Sequence, residues 1–183
     1  YFQGKASSEV KEYKRRVGVV YHLQPGRGYY IDTLSSDIQD SVVAELYFQH
    51  RNESLLKKGD RFDQDKISQE RERIDLLMKD NGYYDFSRQY IHFDIDTAYH
   101  HQHTIAVRTE IRNPTKQDFH KLFSIDSINF TTDAGAIPKN KGAERKRSLV
   151  NAVNFHYFKH EYSNKILSQR VFLEPDNPYS RTK

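Results

Sequence analysis

The hydrophobic positions in the middle of the chain change period, and each change marks an element. Tyr29-Tyr30-Ile31-Asp32-Thr33-Leu34 is short and rich in β-formers, which predicts a strand. Between Ser41 and Arg51, Val42, Val43, Leu46 and Tyr47 recur at i, i+3 and i+4, predicting a helix with Asp37 or Asp40 as its N-cap. A turn at Lys57-Lys58-Gly59-Asp60 leads to Phe62 and Asp63. Asp63 suits the N-cap of a second helix, with Phe62 and Ile67 placed as a hydrophobic staple. Ile67, Ile74, Leu77 and Met78 make one apolar stripe, and Asn81-Gly82 supplies a left-handed stop. The period then becomes two. Ile91, Phe93 and Ile95 share one face of a strand, and Tyr90, His92, Asp94 and Asp96 share the other. A polar tip from Tyr99 to His103 leads to a partner strand carrying Ile105, Val107, Thr109 and Ile111 on one face, closed by Asn113-Pro114. Residues 29–113 thus read strand, helix, helix, strand, strand.

On the N-terminal side, Lys5 to Tyr13 is polar and reads as linker or frayed end. Val17, Val19, Tyr21 and Leu23 alternate with more polar neighbours, as in the last strand of a preceding unit, bounded by Pro25-Gly26-Arg27-Gly28. On the C-terminal side the pattern repeats. Tyr30-Ile31-Asp32-Thr33-Leu34 is echoed by Ser124-Ile125-Asp126-Ser127-Ile128 at an offset of 94. Leu56, Phe62 and Asp63 are echoed by Leu173, Tyr179 and Ser180 at an offset of 117. The difference, 117 − 94 = 23, is an insertion at about 132–148 that holds the basic cluster Lys139, Lys141, Arg145, Lys146 and Arg147. Val153, Phe155 and Tyr157 predict an extra strand, and Ser163 to Leu173 a first helix. The second helix of this copy is expected to start near Lys183.

Composition narrows the chemistry. Of 183 residues, 36% are hydrophobic and 30% charged, so the core is modest, and 13 Tyr and 11 Phe supply much of it. With no cysteine, disulfide and thiolate–metal scaffolds are excluded. No apolar run approaches the ~20 residues of a membrane-spanning helix. Tyr1-Phe2-Gln3-Gly4 matches the tail of a common protease-cleavable tag and is set apart from the fold. The net charge of +4 is a small excess of 29 basic over 25 acidic residues, and five of the basics lie in one stretch. That stretch lacks the interleaved aromatics of a nucleic-acid site. Gly26-Arg27-Gly28 lacks the strand-then-helix setting of a dinucleotide loop, and no Gly-X-Ser-X-Gly elbow occurs. His100, His101 and His103 fall at a hairpin tip with no further ligand forced onto them, so they read as solvated. Neither catalysis, cofactor, metal nor nucleic acid is expected.

The order strand–helix–helix–strand–strand, the turn-Phe-Asp start of the second helix, Asp80-Asn81-Gly82-Tyr83-Tyr84 at its exit and the hairpin closing on Asn113-Pro114 together resemble the POTRA repeat. This repeat precedes the membrane barrel in BamA- and TamA-type outer-membrane assembly factors. The insertion at 132–148, with Asn154-Phe155-His156-Tyr157 through Asn177-Pro178-Tyr179-Ser180, is similar to TamA-like proteins of Bacteroidetes. The resemblance implies an α+β fold of tandem repeats, each with two helices on one face of a three-stranded mixed sheet ordered first, third, second. It implies a last strand of a preceding repeat with its linker at 5–28, a complete repeat at 29–113 and a partial one at 114–183. It also implies a non-enzymatic scaffold in the periplasmic portion of an outer-membrane protein. The partners so implied are unfolded outer-membrane β-barrel proteins, assembly-complex subunits and the protein's own C-terminal membrane barrel. Arg88, Gln89, Tyr90, Ile91, His92, Phe93, Asp94 and Ile95 become the strand edge onto which a client peptide adds. Lys139, Lys141, Arg145, Lys146 and Arg147 become an electrostatic contact loop. Rival expectations are a POTRA module of a division-complex or two-partner-secretion protein, and a basic α+β RNA-binding module.

Overall fold

The computed structural model describes residues 4–98, 103–134 and 144–182. The proposed tag at Tyr1-Phe2-Gln3, the tip residues Tyr99, His100 and His101, and Lys139 and Lys141 lie outside the described residues. The chain divides into two compact units, one comprising Tyr1–Ile74 and Ser87–Phe119, the other Asp75–Phe86 and His120–Lys183. Both are built on three-stranded mixed sheets with helices, so the fold is α+β.

The first unit begins with β1 (Lys5–Tyr13) and β2 (Arg16–Gln24), an antiparallel pair forming a two-stranded sheet of its own. This corrects the reading of Lys5 to Tyr13 as linker or frayed end and gives the strand after it a partner. The tip Lys14-Arg15 carries none of the Asn-Gly chemistry that marks a tight hairpin, and no β1 residue is buried, so no period betrays the strand.

The main sheet follows the expected plan. β3 (Tyr30–Ile38) leads into α1 (Ser41–Gln49), then α2 (Gln64–Asp80), β4 (Ile91–Asp96) and β5 (Thr104–Ile111). The strand order is β3-β5-β4, with β3 parallel and β4 antiparallel to β5. Asp40, not Asp37, caps α1, accepting from the N–H groups of Val42 (2.9 Å) and Val43 (3.3 Å). Asp63 starts α2 as expected, its carboxylate accepting from the N–H of Asp65 at 2.9 Å. Ile67 packs in a buried cluster with Ile31, Leu56, Ile105 and Val107, flanked by Phe62, Phe93 and Ile95. The helix stripe holds a surprise. Glu70 is 1% exposed and takes the apolar position between Ile67 and Ile74. Its carboxylate accepts from the N–H of Leu55 (2.8 Å) and from Arg73 (2.7 and 3.1 Å), tying the loop after α1 to the helix.

The second unit contains the end of α2 from Asp75, then β6 (Ile128–Thr131), β7 (Lys146–Val150), β8 (Val153–Tyr157) and α3 (Asn164–Ser168). Its sheet order is β6-β8-β7, with β6 parallel and β7 antiparallel to β8. This is again first, third, second. The expected extra strand at Val153 to Tyr157 is thus the central one. The helix expected over Ser163 to Leu173 is only five residues long.

The internal echo recurs in the hydrogen bonds. In the first unit Ile31 N–H donates to Asp60 O (2.9 Å), Gly59 N–H to Ile31 O (2.7 Å) and Phe62 N–H to Tyr29 O (2.8 Å). Shifted by 94 and 117, the same three bonds join Ile125 to Asn177 (3.0 Å), Asp176 to Ile125 (2.7 Å) and Tyr179 to Phe123 (2.9 Å). The bridge Tyr30–Arg61 likewise becomes Ser124–Pro178, and Gly59 at φ +88 becomes Asp176 at φ +63.

By the same shift, Asp63, Gln64 and Asp65 at the start of α2 correspond to Ser180, Arg181 and Thr182. These three are gathered on Asp80. Its Oδ1 accepts from the Ser180 hydroxyl (3.0 Å) and from the N–H groups of Arg181 and Thr182 (2.9 Å each). Burial pushes the Asp80 carboxyl up, but these bonds together outweigh it and hold it below its ordinary 3.8. A depressed folded-state value stabilises above about pH 4 and is lost as pH falls through it. Asp80→Asn should therefore flatten the acid limb of the second unit's unfolding curve below about pH 4 while leaving the neutral limb parallel. An unchanged acid limb, measured by urea titration at several pH values, would contradict this.

Candidate strand-addition edge

The edge expected at Arg88 to Ile95 is built in two parts. Arg88–Tyr90 is a 3₁₀ turn rather than strand, because the Ser87 hydroxyl accepts from Gln89 N–H (3.5 Å) and Ile91 N–H closes onto Arg88 O. The true edge is β4, Ile91–Asp96. Its side chains alternate as expected, with Ile91 buried, Phe93 and Ile95 half-buried, and His92, Asp94 and Asp96 exposed.

The register decides which peptide groups face outward. β4 pairs with β5 through Ile91↔Ile111 to Asp96↔Ala106, and Arg112 N–H reaches Tyr90 O at 3.0 Å. Bonded and non-bonded pairs alternate in an antiparallel ladder. His92, Asp94 and Asp96 therefore bond inward to β5, while Ile91, Phe93 and Ile95 turn N–H and C=O away from the sheet. The groups of Ile91 are already satisfied. Its N–H meets Arg88 O, and its carbonyl accepts from Arg71 Nε at 3.3 Å. Arg71 also lies over the Phe93 ring, 5.4 Å from its centroid. What remains open is the N–H and C=O of Phe93 and of Ile95, for which no partner exists among the described residues.

The other flank of the sheet is covered at its start. At the start of β3, the segment 59–62 takes the outward groups of Tyr29 and Ile31 through the three bonds described above. On the outer face of β4 and β5, Asp94 pairs with Arg108 directly across the ladder (2.8 Å), and Arg108 and Arg112 both reach Glu110. Both Asp94 and Arg108 are about half exposed, so solvent screens the pair and it adds little to the sheet's stability. Asp96 ends the strand by accepting from Ala98 N–H (2.9 Å).

The basic cluster is not one loop. Arg145 is held by Asp133 (2.9 Å) and stacked 4.5 Å above the Phe158 ring, while Lys146 and Arg147 begin β7. Arg145, with the N–H of Phe158, keeps the Asp133 carboxyl below its usual range. Sequence reasoning missed Arg71, because an arginine on the solvated side of a helix stripe looks like any other. It also missed β7, whose turn Asn151-Ala152 has alanine where glycine is the usual signal.

Neither a family profile nor a curated protein matches the chain. Among solved structures, it is similar to BamA from Haemophilus ducreyi lacking POTRA domains 1–3, at 15% identity over 62% of this chain and a TM-score of 0.41. It spans only 20% of that protein's length. It is also similar to POTRA domains 3–5 of Haemophilus influenzae BamA, at 12% identity over 86% of this chain and 72% of that one, with a TM-score of 0.42. At these identities and scores the likeness assigns nothing beyond what the chain's own topology displays.

Proposed function

We propose that this chain is a tandem POTRA-type segment from the periplasmic portion of a TamA-like outer-membrane assembly factor. In this reading, 29–113 is a complete repeat, 5–28 a hairpin and linker from a preceding one, and 114–183 part of a third with an inserted hairpin. The repeated hydrogen-bond register at offsets 94 and 117 supports the tandem arrangement. The domain accepts extended segments of unfolded outer-membrane β-barrel proteins on β4, for eventual transfer to the protein's own membrane barrel, and works with assembly-complex subunits. The observation that carries this is the open N–H and C=O of Phe93 and Ile95 along the outer side of β4. Main-chain bonding reads no side chains, which suits clients of many sequences.

Proline tests it. At Ile95 proline removes an outward donor and leaves the β4–β5 bonds intact, so it is tolerated as on other edge strands. In an NMR titration of the 183-residue chain with a peptide copied from an outer-membrane β-strand, Ile95→Pro should weaken binding about tenfold. Arg71→Ala frees the Ile91 carbonyl and should tighten it. Undiminished binding by Ile95→Pro, with peptide shifts still centred on Phe93 and Ile95, would overturn the reading.

A further inference from the structure

We infer that β7 is a second strand-addition site, selective for acidic extended segments. The hairpin β7–β8 turns through Asn151 and Ala152, both at positive φ (+50 and +62), so Val150 and Val153 flank a two-residue tip. In such hairpins the flanking pair exchanges both main-chain bonds. Alternation then pairs Ser148 with Phe155 and Lys146 with Tyr157 in the same way. Arg147 and Leu149 are left with N–H and C=O pointing off the sheet, and no partner for them exists among the described residues. β7 is also the outer strand in the order β6-β8-β7.

The strand is held for this role. Ser148 Oγ accepts from Asn164 Nδ2 at 2.6 Å, and Asn151 Nδ2 donates to Ser168 Oγ at 2.9 Å, so α3 is fastened to the hairpin. At the other end, Asp133 binds both Arg145 (2.9 Å) and the N–H of Phe158 (2.6 Å), fixing the start of β7 against the end of β8. Phe155 and Val153 seal the inner face with Ile128.

Side chains define the guest. Arg147 and Leu149 share the exposed outer face, and Leu149 is 69% exposed. Lys146 adds charge on the alternate face. A guest aligned antiparallel places an apolar residue opposite Leu149, an acidic one opposite Arg147 two residues later, and a second acidic one opposite Lys146. The preferred segment is therefore apolar–any–acidic–acidic. β4 differs, since Asp94 and Asp96 lie on its outer face and the arginine there, Arg108, is already paired with Asp94, so it favours an acidic guest less.

The test uses the 183-residue chain and two labelled heptapeptides with alternating β-formers, one carrying the apolar–any–acidic–acidic core and one with lysines in place of the acids. The acidic peptide should bind, and its excess should slow amide exchange at Arg147 and Leu149 relative to the unbound chain. Leu149→Pro, which spares the bonds to β8, should weaken it about tenfold, and Arg147→Glu should reverse the preference between peptides. Ile95→Pro should leave acidic-peptide binding unchanged, so failure here is separable from failure at β4. Equal binding of both peptides, no added protection at Arg147 and Leu149, or full affinity in Leu149→Pro would overturn the proposal. The last outcome would mean that charge alone attracts the peptide.

Discussion

Glu70→Ala is expected to destabilise the first unit by about 3–5 kcal/mol, among the largest losses any single side chain here can cause. The carboxylate is almost fully enclosed, and it is the acceptor for Leu55 N–H and the principal partner of Arg73. Burial opposes the charge on Arg73, yet its bond and attraction to Glu70 outweigh this and raise its pKa above the usual guanidinium value. Truncation leaves a guanidinium that is only 16% exposed with Glu53, 4.0 Å away, as its remaining carboxylate partner, and orphans a main-chain donor. Glu70→Gln keeps an acceptor for Leu55 and loses only the charge, so its loss should be smaller, about 1–3 kcal/mol. Glu70→Leu with Arg73→Leu replaces the pair by apolar volume and should recover much of the stability. Urea unfolding followed by tyrosine fluorescence and circular dichroism reports all three. A Glu70→Ala loss below about 1 kcal/mol would show that the pair is dispensable.

The second large effect is at Gly82. Its φ of +95 lies where a side chain is strained, and an added Cβ would stand 2.7 Å from Leu122 Cδ1 and 3.3 Å from Phe123 O. Leu122 can swing aside, but the carbonyl cannot, because Phe123 N–H is bonded to Gly82 O at 2.8 Å. Gly82→Ala should cost about 2–4 kcal/mol, adding backbone strain to crowding. Gly59, at φ +88 with nothing near its missing Cβ, separates the two contributions. Gly59→Ala should cost only about 1–2 kcal/mol. Equal losses at the two sites would remove the crowding contribution.

Much of this architecture was readable from residue order because burial and period coincide. Ile91, Phe93 and Ile95, the alternation from Ile105 to Ile111, the stop at Gly82 and the caps at Asp40 and Asp63 each obey one local rule, and the structure follows it. The offsets of 94 and 117 proved more literal than similarity suggests, since they reproduce main-chain bonds as well as residue types. The failures have a common cause. β1 buries nothing, so its strand leaves no imprint on its hydrophobicity. Glu70 is tied to the loop after α1 at Leu55, distant in sequence, and its only trace is the seven-residue spacing between Ile67 and Ile74 in an otherwise regular stripe. Arg88 to Tyr90 looks extended by composition, but the Ser87 cap winds it into a turn. Which backbone groups of β4 face outward depends on register, and register is a property of two strands.

For the proposed strand addition on β4, the brevity of the free stretch sets how long a guest can stay. Two residues offer four main-chain bonds, worth a net ~4 kcal/mol, a dissociation constant near millimolar. With ordinary encounter rates, residence is on the order of milliseconds or less. In that proposed role a grip that tires quickly suits a chain to be passed onward, and Arg71, by covering the Ile91 carbonyl, keeps the open stretch short.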